Sequence, residues 1–374
     1  MIEFKNVHKS FKNNTVLNNI NLTINNGELL VLIGPSGCGK TTTLKMINKL
    51  ISPTSGSILI DGEDISKKNT IELRRNIGYV IQQTGLFPHM NIGENIELVP
   101  YLKKWPLEKR RARSKELLSL VGLDPDKYTD RYPDELSGGQ QQRVGVARAL
   151  ATNPDIILMD EPFSALDPIT RNSLQEQVFK LQQELKKTII FVTHDMDEAL
   201  KLGDRICIMA GGDVIQFDTP ENILRNPEKS FVEDFIGKNR LWNKPEFIKA
   251  EDIMIRNPIT SSPNRTILQA IEIMKGNKVD SLLVVDNNDI LIGIVTSKDI
   301  QGNITSSSVK LGSIMTKDLI YAKTDDSIGE ILKIMNKNNV GFVPIVDENG
   351  CLKGLVTKSS LITLFEEKLL YEVV

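Results

Sequence analysis

The chain has 374 residues, more than one hydrophobic core usually organises, so more than one domain is expected. Lysine plus arginine total 46 against 48 aspartate plus glutamate, a balance that excludes binding to nucleic acid or lipid driven by a strong field of one sign. Cys38, Cys207 and Cys351 are too scattered for a disulfide framework or a metal cluster and suit a reducing cytosol, while Met1 to Lys5 lack a signal-peptide core and no apolar run approaches the roughly 18 residues of a membrane span.

Phe4, Val7 and Phe11 punctuate the opening, with turns expected at Asn13-Asn14 and Asn25-Asn26-Gly27. Phe11 precedes Gly34 by 23 residues, and spacing alone leaves it as core or as a cover for an adenine ring. Leu29 to Ile33 read as a buried strand. The run Gly34-Pro35-Ser36-Gly37-Cys38-Gly39-Lys40-Thr41 then fills the phosphate-loop pattern G-x-x-x-x-G-K-[ST], and Thr42 to Ile47 open a helix. Glycines let backbone amides curl round a phosphate, and a helix N-terminus adds its positive end. Lys40 is placed to reach the β- and γ-phosphates, and the Thr41 hydroxyl to ligate Mg²⁺. Cys38 reads as a small filler.

Ser57 to Asp61 suggest a strand. The helical stretch of roughly 88–155 carries Lys103-Lys104 and Lys109-Arg110-Arg111, read as a solvated face with no nucleic-acid role. Leu136-Ser137-Gly138-Gly139-Gln140 precede a helix over Gln142 to Leu150. Ser137 suits its N-cap region, and two glycines bare the amides there, a second phosphate cradle. One nucleotide does not need two cradles from one chain, so two chains facing head to tail are expected. Ile156 to Glu161 read as a buried strand tipped with two carboxylates. Asp160 would hold Mg²⁺ and Glu161 would polarise the attacking water, the two separated by strand alternation. His194 follows the strand-like Thr188 to Thr193, either as a satisfied strand-end histidine or as a functional one.

In this order the motifs resemble those of an ATP-binding cassette (ABC) ATPase. The resemblance runs over residues 1–235 and rests on Gly34–Thr41, Gln82, Leu136–Gln140, Asp160-Glu161, Ser164-Ala165-Leu166-Asp167 and His194. It implies an α/β P-loop nucleotide-binding domain over 1–237 with a helical subdomain, acting as a homodimer. Each ATP would lie between one chain's phosphate loop and the other's Ser137–Gln140. It further implies adenine stacking by Phe11 and contacts of Gln82 with Mg²⁺ and the water. Asp167 would organise the dimer seam, and His194 would meet the γ-phosphate. Leu86, Phe87 and Pro88 would form an exposed apolar groove for a coupling helix of an integral membrane permease.

A connector is expected at 238–250. Beyond it the chain repeats at a 61-residue offset: Asp252-Ile253-Met254 answers Ser313-Ile314-Met315, and Gly293-Ile294-Val295-Thr296 answers Gly354-Leu355-Val356-Thr357. Each unit, 251–309 and 310–374, reads as helix, strand, turn, strand, helix. The pair resembles a tandem cystathionine-β-synthase (CBS) module of βαββα-like repeats, which implies an adenosine-nucleotide site. The ribose pattern G-x-x-[ST]-x-x-D is met by Gly293, Thr296 and Asp299. The second copy keeps Gly354 and Thr357 but has Ser360 in place of the acid. Val279, Phe342 and Leu355 are candidate slots for adenine.

A cassette joined to such a pair resembles the energy subunit of quaternary-amine importers, for glycine betaine, carnitine or choline. The resemblance implies residence at the cytoplasmic face of the membrane, beside a permease and an extracellular substrate-binding lipoprotein or domain. It also implies that cyclic di-AMP bound by the repeats acts as a brake. A ligand whose ribose lacks a free vicinal diol suits the missing second carboxylate. The competing expectations are a soluble non-transport cassette ATPase, an AMP or ATP sensor, and a pair that serves only dimerisation.

Overall fold

The computed structural model describes residues 1–12, 14–82, 85–237, 247–303 and 309–362. It divides into two compact units, Met1–Lys238 and Asn239–Val374. Asn13 of the expected first turn, most of the 238–250 connector and the end of the second repeat lie outside the described residues.

In the first unit the strands are β1 (Ile2–Phe11), β2 (Asn14–Ile24), β3 (Leu29–Ile33), β4 (Ser55–Ile60), β5 (Glu63–Asp64), β6 (Ile77–Val80), β7 (Ile156–Asp160), β8 (Thr188–Val192), β9 (Arg205–Ala210) and β10 (Asp213–Asp218). The helices are α1 (Lys40–Ile47), α2 (Thr70–Asn76), α3 (Ile92–Leu102), α4 (Leu107–Leu120), α5 (Pro125–Tyr128), α6 (Gly138–Leu150), α7 (Pro168–Leu185), α8 (Met196–Leu202), α9 (Pro220–Arg225) and α10 (Ser230–Ile236). One sheet has the order β2-β1-β4-β5, and the central sheet β10-β9-β3-β8-β7-β6. Every central pairing is parallel except β9 with β10. Strands β3 and β8 are buried at every residue, as a parallel sheet covered on both faces requires. Separate apolar cores fill its two faces.

The register matters for function. Leu32 pairs Val192, Val192 pairs Asp160, and Met159 pairs Val80. The carboxyl ends of β3, β8, β7 and β6 therefore finish side by side, the edge where ligands bind in open α/β sheets. Helices α3 to α6 form the helical subdomain. The helix expected from Gln142 begins four residues earlier, because Ser137 caps it and the glycines start its first turn.

The second unit contains α11 (Ala250–Ile253), β11 (Thr260–Ser261), α12 (Ile267–Asn277), β12 (Ser281–Val285), β13 (Leu291–Thr296) and α13 (Ser297–Gln301). There follow α14 (Leu311–Ile314), β14 (Ala322–Lys323), α15 (Ile328–Asn338), β15 (Phe342–Val346) and β16 (Leu352–Thr357). The repeat holds at the level of register: Ser281 pairs Thr296 as Phe342 pairs Thr357, and each hairpin bulges at the equivalent step. Two features add to the expected helix, strand, turn, strand, helix. Each repeat opens with a short helix, α11 or α14, and a two-residue strand, β11 or β14, too short to alternate. Each leading segment also packs on the other repeat. Ile255 exchanges backbone bonds with Leu355, and Ile294 with Thr316. Met254 fills the space above Gly354, and Met315 that above Gly293; a Cβ at either glycine would lie within 2.5 Å of the methionine sulfur.

Candidate active site

Strand β3 runs straight into the phosphate loop. Gly39 is the N-cap of α1 at φ 108, a left-handed geometry suited to glycine, and no side chain caps the helix. The first-turn amides of Lys40, Thr41 and Thr42 therefore keep the arrangement that binds phosphate. A Cβ at Gly39 would stand 2.3 Å from Leu17. Pro35, Ser36 and Gly37 are exposed, whereas Cys38 is buried as a filler. Lys40 is only 7% exposed, and its ammonium donates to the carbonyls of Gly34 (2.7 Å) and Pro35 (2.9 Å). Among the described residues no carboxylate lies within ion-pair distance of this buried cation, which suits an anionic ligand.

The Thr41 hydroxyl donates to Asp160 Oδ1 at 2.9 Å, joining two of the three residues expected at Mg²⁺; the third, Gln82, bonds Glu161 instead. Burial pushes the Asp160 carboxyl above its ordinary range, opposed by the Thr41 bond and reinforced by Glu161. A bound cation favours the charged form. Among the described residues no group of three or more His, Cys, Asp or Glu converges, so Mg²⁺ would take most of its oxygens from phosphates and water. Behind Asp160, Tyr79 on β6 has a buried hydroxyl with no bonding partner among the described residues. Burial and the Asp160 charge push it up to about 12, so it stays a neutral phenol.

Glu161 lies one residue beyond β7 at φ 47, left-handed and costly for a side chain with a Cβ. The expected separation of Asp160 and Glu161 by strand alternation needs correcting accordingly: the backbone turn after Asp160 redirects Glu161. Its amide is held by the Val192 carbonyl at 3.0 Å. Its Oε2 accepts from Gln82 Nε2 at 3.1 Å, and its Oε1 lies 3.5 Å from His194 Nδ1. Residues from the ends of β6, β7 and β8 thus meet on one carboxylate.

The Ser137–Gln140 cradle is fully formed. Ser137 Oγ accepts from the Gln140 amide, and Gln140 Oε1 accepts from the Ser137 amide. Ser137 and Gly138 are exposed, and Gly139 rests against Ala165 and Leu166. Among the described residues none of these bonds reaches Gly34–Thr41. Gln142, unremarked in the sequence, ties α6 to the Ser164–Asp167 loop through Ser164 Oγ (3.2 Å) and the Ala165 amide (3.1 Å). Asp167 caps α7 through the Thr170 amide, which holds its carboxyl below the ordinary range.

Phe11 is 45% exposed, with the Lys9 ammonium 4.7 Å from its ring centroid, so its place is on the surface and not in the core. Phe87 and Pro88 are exposed, Phe87 meeting His89 edge to face. Leu86 departs from the expected exposed groove: it is half-buried and packs on the core. Fully buried Asn95 holds this loop. Its Oδ1 accepts from the Phe87 amide, and its Nδ2 donates to the carbonyls of Phe87, Met90 and Asn91. The readable signal was an asparagine between Ile92 and Ile96 on the apolar face of α3.

In the repeats, Thr296 donates from its amide and hydroxyl to Asp299 Oδ2 at 2.8 and 2.7 Å, closing the cap of α13. Ser360 makes the equivalent contacts with Thr357, keeping the cap and losing the charge. Phe342 and Leu355 share one apolar cluster with Leu283 and Leu291 of the first repeat. Val279 is not with them; it packs on the core of the first repeat.

The family model for the ABC transporter matches residues 17–164, and that for the CBS domain matches 250–305 and 311–367. The chain is 52% identical, over 97% of its length and 96% of the relative's, to the glycine betaine/carnitine/choline transport ATP-binding protein of Bacillus subtilis. It is 50% identical to the choline transport ATP-binding protein of the same organism, over 99% of this chain and 97% of that one. Among solved structures, a dimeric ATP-binding cassette in a post-hydrolysis state with ADP and phosphate shares 40% identity. Its TM-score is 0.56, over 59% of this chain and 99% of that one.

The Asn95 contacts give a direct expectation. Asn95→Leu keeps volume and removes the side-chain contacts to the 87–91 turn, depriving the Phe87 amide and the Met90 carbonyl of their partner, while the Phe87 and Asn91 carbonyls keep the amides of Met90 and Asn95. It should lower stability by about 2–4 kcal/mol and speed hydrogen exchange at the Phe87 amide, both measurable on the purified chain.

Proposed function

Because this chain belongs to the ATP-binding subunits of glycine betaine/carnitine/choline ABC transporters with tandem CBS domains, we propose that its ATP hydrolysis drives import of a quaternary-amine osmolyte through a separate permease. The observation that carries the reading is the convergence on Glu161 of Gln82 and His194, beside the Thr41–Asp160 pair. Among the described residues no helix is long and apolar enough to cross a membrane. A path for the osmolyte therefore needs another subunit, with this chain peripheral at its cytoplasmic face and an extracellular substrate-binding protein or domain beyond it. The amine itself would not touch this chain.

ATP with Mg²⁺ supplies the phosphoanhydride that is cleaved. Lys40 and the α1 amides hold the phosphates, Thr41 and Asp160 hold the metal, and Phe11 offers an open ring face for adenine. Glu161 orients and polarises the water, its two oxygens steadied by Gln82 and His194. The cradle at Ser137–Gly139 makes no hydrogen bond to its own phosphate loop among the described residues, which supports a second copy facing it head to tail. Glu161→Gln should keep ATP binding, abolish turnover and trap a nucleotide-bound dimer, read by size-exclusion chromatography beside phosphate release. Lys40→Ala should weaken ATP binding instead. Near-normal phosphate release by Glu161→Gln would sink the assignment.

Exposed Phe87 and Pro88 stand five and six residues past Gln82, which reaches Glu161. This supports a permease contact that senses the nucleotide state. Phe87→Asp puts a charge into that contact. It should cut permease-stimulated ATPase at least about 10-fold while basal activity of the isolated chain stays within about twofold. Equal loss in both would place Phe87 in the catalytic fold.

For the repeats we favour a cyclic di-AMP brake, supported by the Phe342–Leu355 cluster and by the uncharged Ser360 cap. The methionines seated over Gly293 and Gly354 support the rival, purely structural pair. Calorimetry on the full chain separates them. Micromolar or tighter cyclic di-AMP binding, lost in Phe342→Ala, is expected. AMP binding alone, lost in Asp299→Asn, indicates an adenylate sensor. No binding of either leaves dimerisation.

A further inference from the structure

We propose that Glu198 is a positioning residue for His194, linking the loop that carries the histidine to the helix that starts at Asp167. His194 cannot place itself. Its side chain is 69% exposed and, among the described residues, its ring meets only Glu161. Its position is therefore that of its backbone, which the Thr193 amide ties to the Leu32 carbonyl at 3.2 Å and the Thr193 hydroxyl ties to the residues that follow. Thr193 Oγ1 accepts from the Asp195 amide at 3.0 Å and donates to Glu198 Oε2 at 2.6 Å. Asp195 in turn caps α8 through the amides of Asp197 and Glu198.

The other carboxylate oxygen faces away from this loop. Glu198 Oε1 accepts from Nε2 of Gln175, a residue 2% exposed on α7. One turn earlier on α7, Arg171 faces Glu198 across a cavity of about 50 Å³, which Glu161, Thr193 and His194 also line. Arg171 donates from Nη2 to the Leu166 carbonyl at 3.1 Å, inside the Ser164–Asp167 loop. Its Nε is buried with no partner among the described residues. Polar contacts thus run from α7 through Gln175 to Glu198, Thr193 and the backbone beside His194, while Arg171, bonded to the Ser164–Asp167 loop, lines the same cavity as Glu198. Burying the Gln175 amide and the Thr193 hydroxyl beside the apolar core is costly unless each is bonded, and the half-buried Glu198 carboxylate bonds both. The polar link makes His194 follow α7.

The histidine's chemical role rests on the ATPase reading above; the link itself does not. The full chain has three histidines, His8, His89 and His194, so imidazole NMR of isotope-labelled protein resolves the site. Glu198→Ala and Thr193→Val should shift or broaden the His194 signal and leave His8 and His89 unmoved. Both should lower kcat for ATP about 10-fold with KM within about twofold, the signature of a misplaced catalytic group. The double variant should be no worse than either alone. Glu198→Gln should restore both readouts, because the Gln175 amide can turn over and accept where it donated. An unmoved His194 signal in Glu198→Ala or Thr193→Val overturns the proposal, and so does a shift shared by all three histidines. If Glu198→Ala fails to fold, Thr193→Val decides. If the wild-type chain lacks ATPase activity, the functional reading falls, while the His194 signal still tests the link.

Discussion

The chemistry of this chain depends on one register, that of β8 between β3 and β7. Val192 stands opposite Leu32 on one side and Asp160 on the other, and its carbonyl accepts from the Glu161 amide. Slipping β8 by one residue would move His194 along the sheet edge by more than 3 Å. It would also remove the acceptor that stabilises Glu161 in its left-handed turn. The buried, unbroken apolar runs of β3, β7 and β8 are therefore what fixes the distances among catalytic side chains. The polar residues at their tips are held where the core puts them.

This explains what could be read from the sequence. The phosphate loop, the Asp160-Glu161 tip and the Ser137 cap are local patterns, in which neighbours in the chain are neighbours in space. They stood out for that reason. Residues that act by joining distant elements left at most a faint local mark, as Asn95 did between Ile92 and Ile96. Asn95 bridges α3 to the Phe87 turn, Gln142 bridges α6 to the Ser164–Asp167 loop, and Gln175 and Glu198 bridge α7 to α8. Each lies in a helix and reads as an ordinary polar residue until the partner is known. The redirected backbone at Glu161 was hidden too, because nothing in Met159-Asp160-Glu161 signals a positive φ. Leu86 departs for the opposite reason: the resemblance put Leu86, Phe87 and Pro88 in one exposed groove, and a turn does not hold neighbours to a shared exposure.

The repeat was legible as repetition and illegible as exchange. Equal offsets said that two similar units exist. They could not say that the segment leading each unit completes the other, since a swapped and an unswapped pair have the same sequence. The exchange follows from steric need. Gly293 and Gly354 leave room for a methionine, and the methionine that reaches each comes from across the pair. Neither repeat can keep its sheet covered alone, so the two stand or fall as one module.

The same exchange governs how the chain enters that module. Ile248 and Ala250, at the end of the connector, are fully buried in the core of the second repeat, and the Ala250 amide bonds the Asp326 carbonyl. The backbone then runs to Ile255, which pairs with Leu355 in the cluster that holds Phe342. The first described residues after the connector are thus anchored to the half of the module that lacks the second carboxylate. A change in the packing around Phe342 and Leu355 is one backbone pairing away from that anchor. The first repeat, with its charged Asp299 cap, is held at the equivalent place by Val309 and Leu311, from between the repeats, and not by the connector. Two copies of one fold pattern therefore occupy unequal mechanical positions, and the asymmetry comes from connectivity before any ligand chemistry is considered.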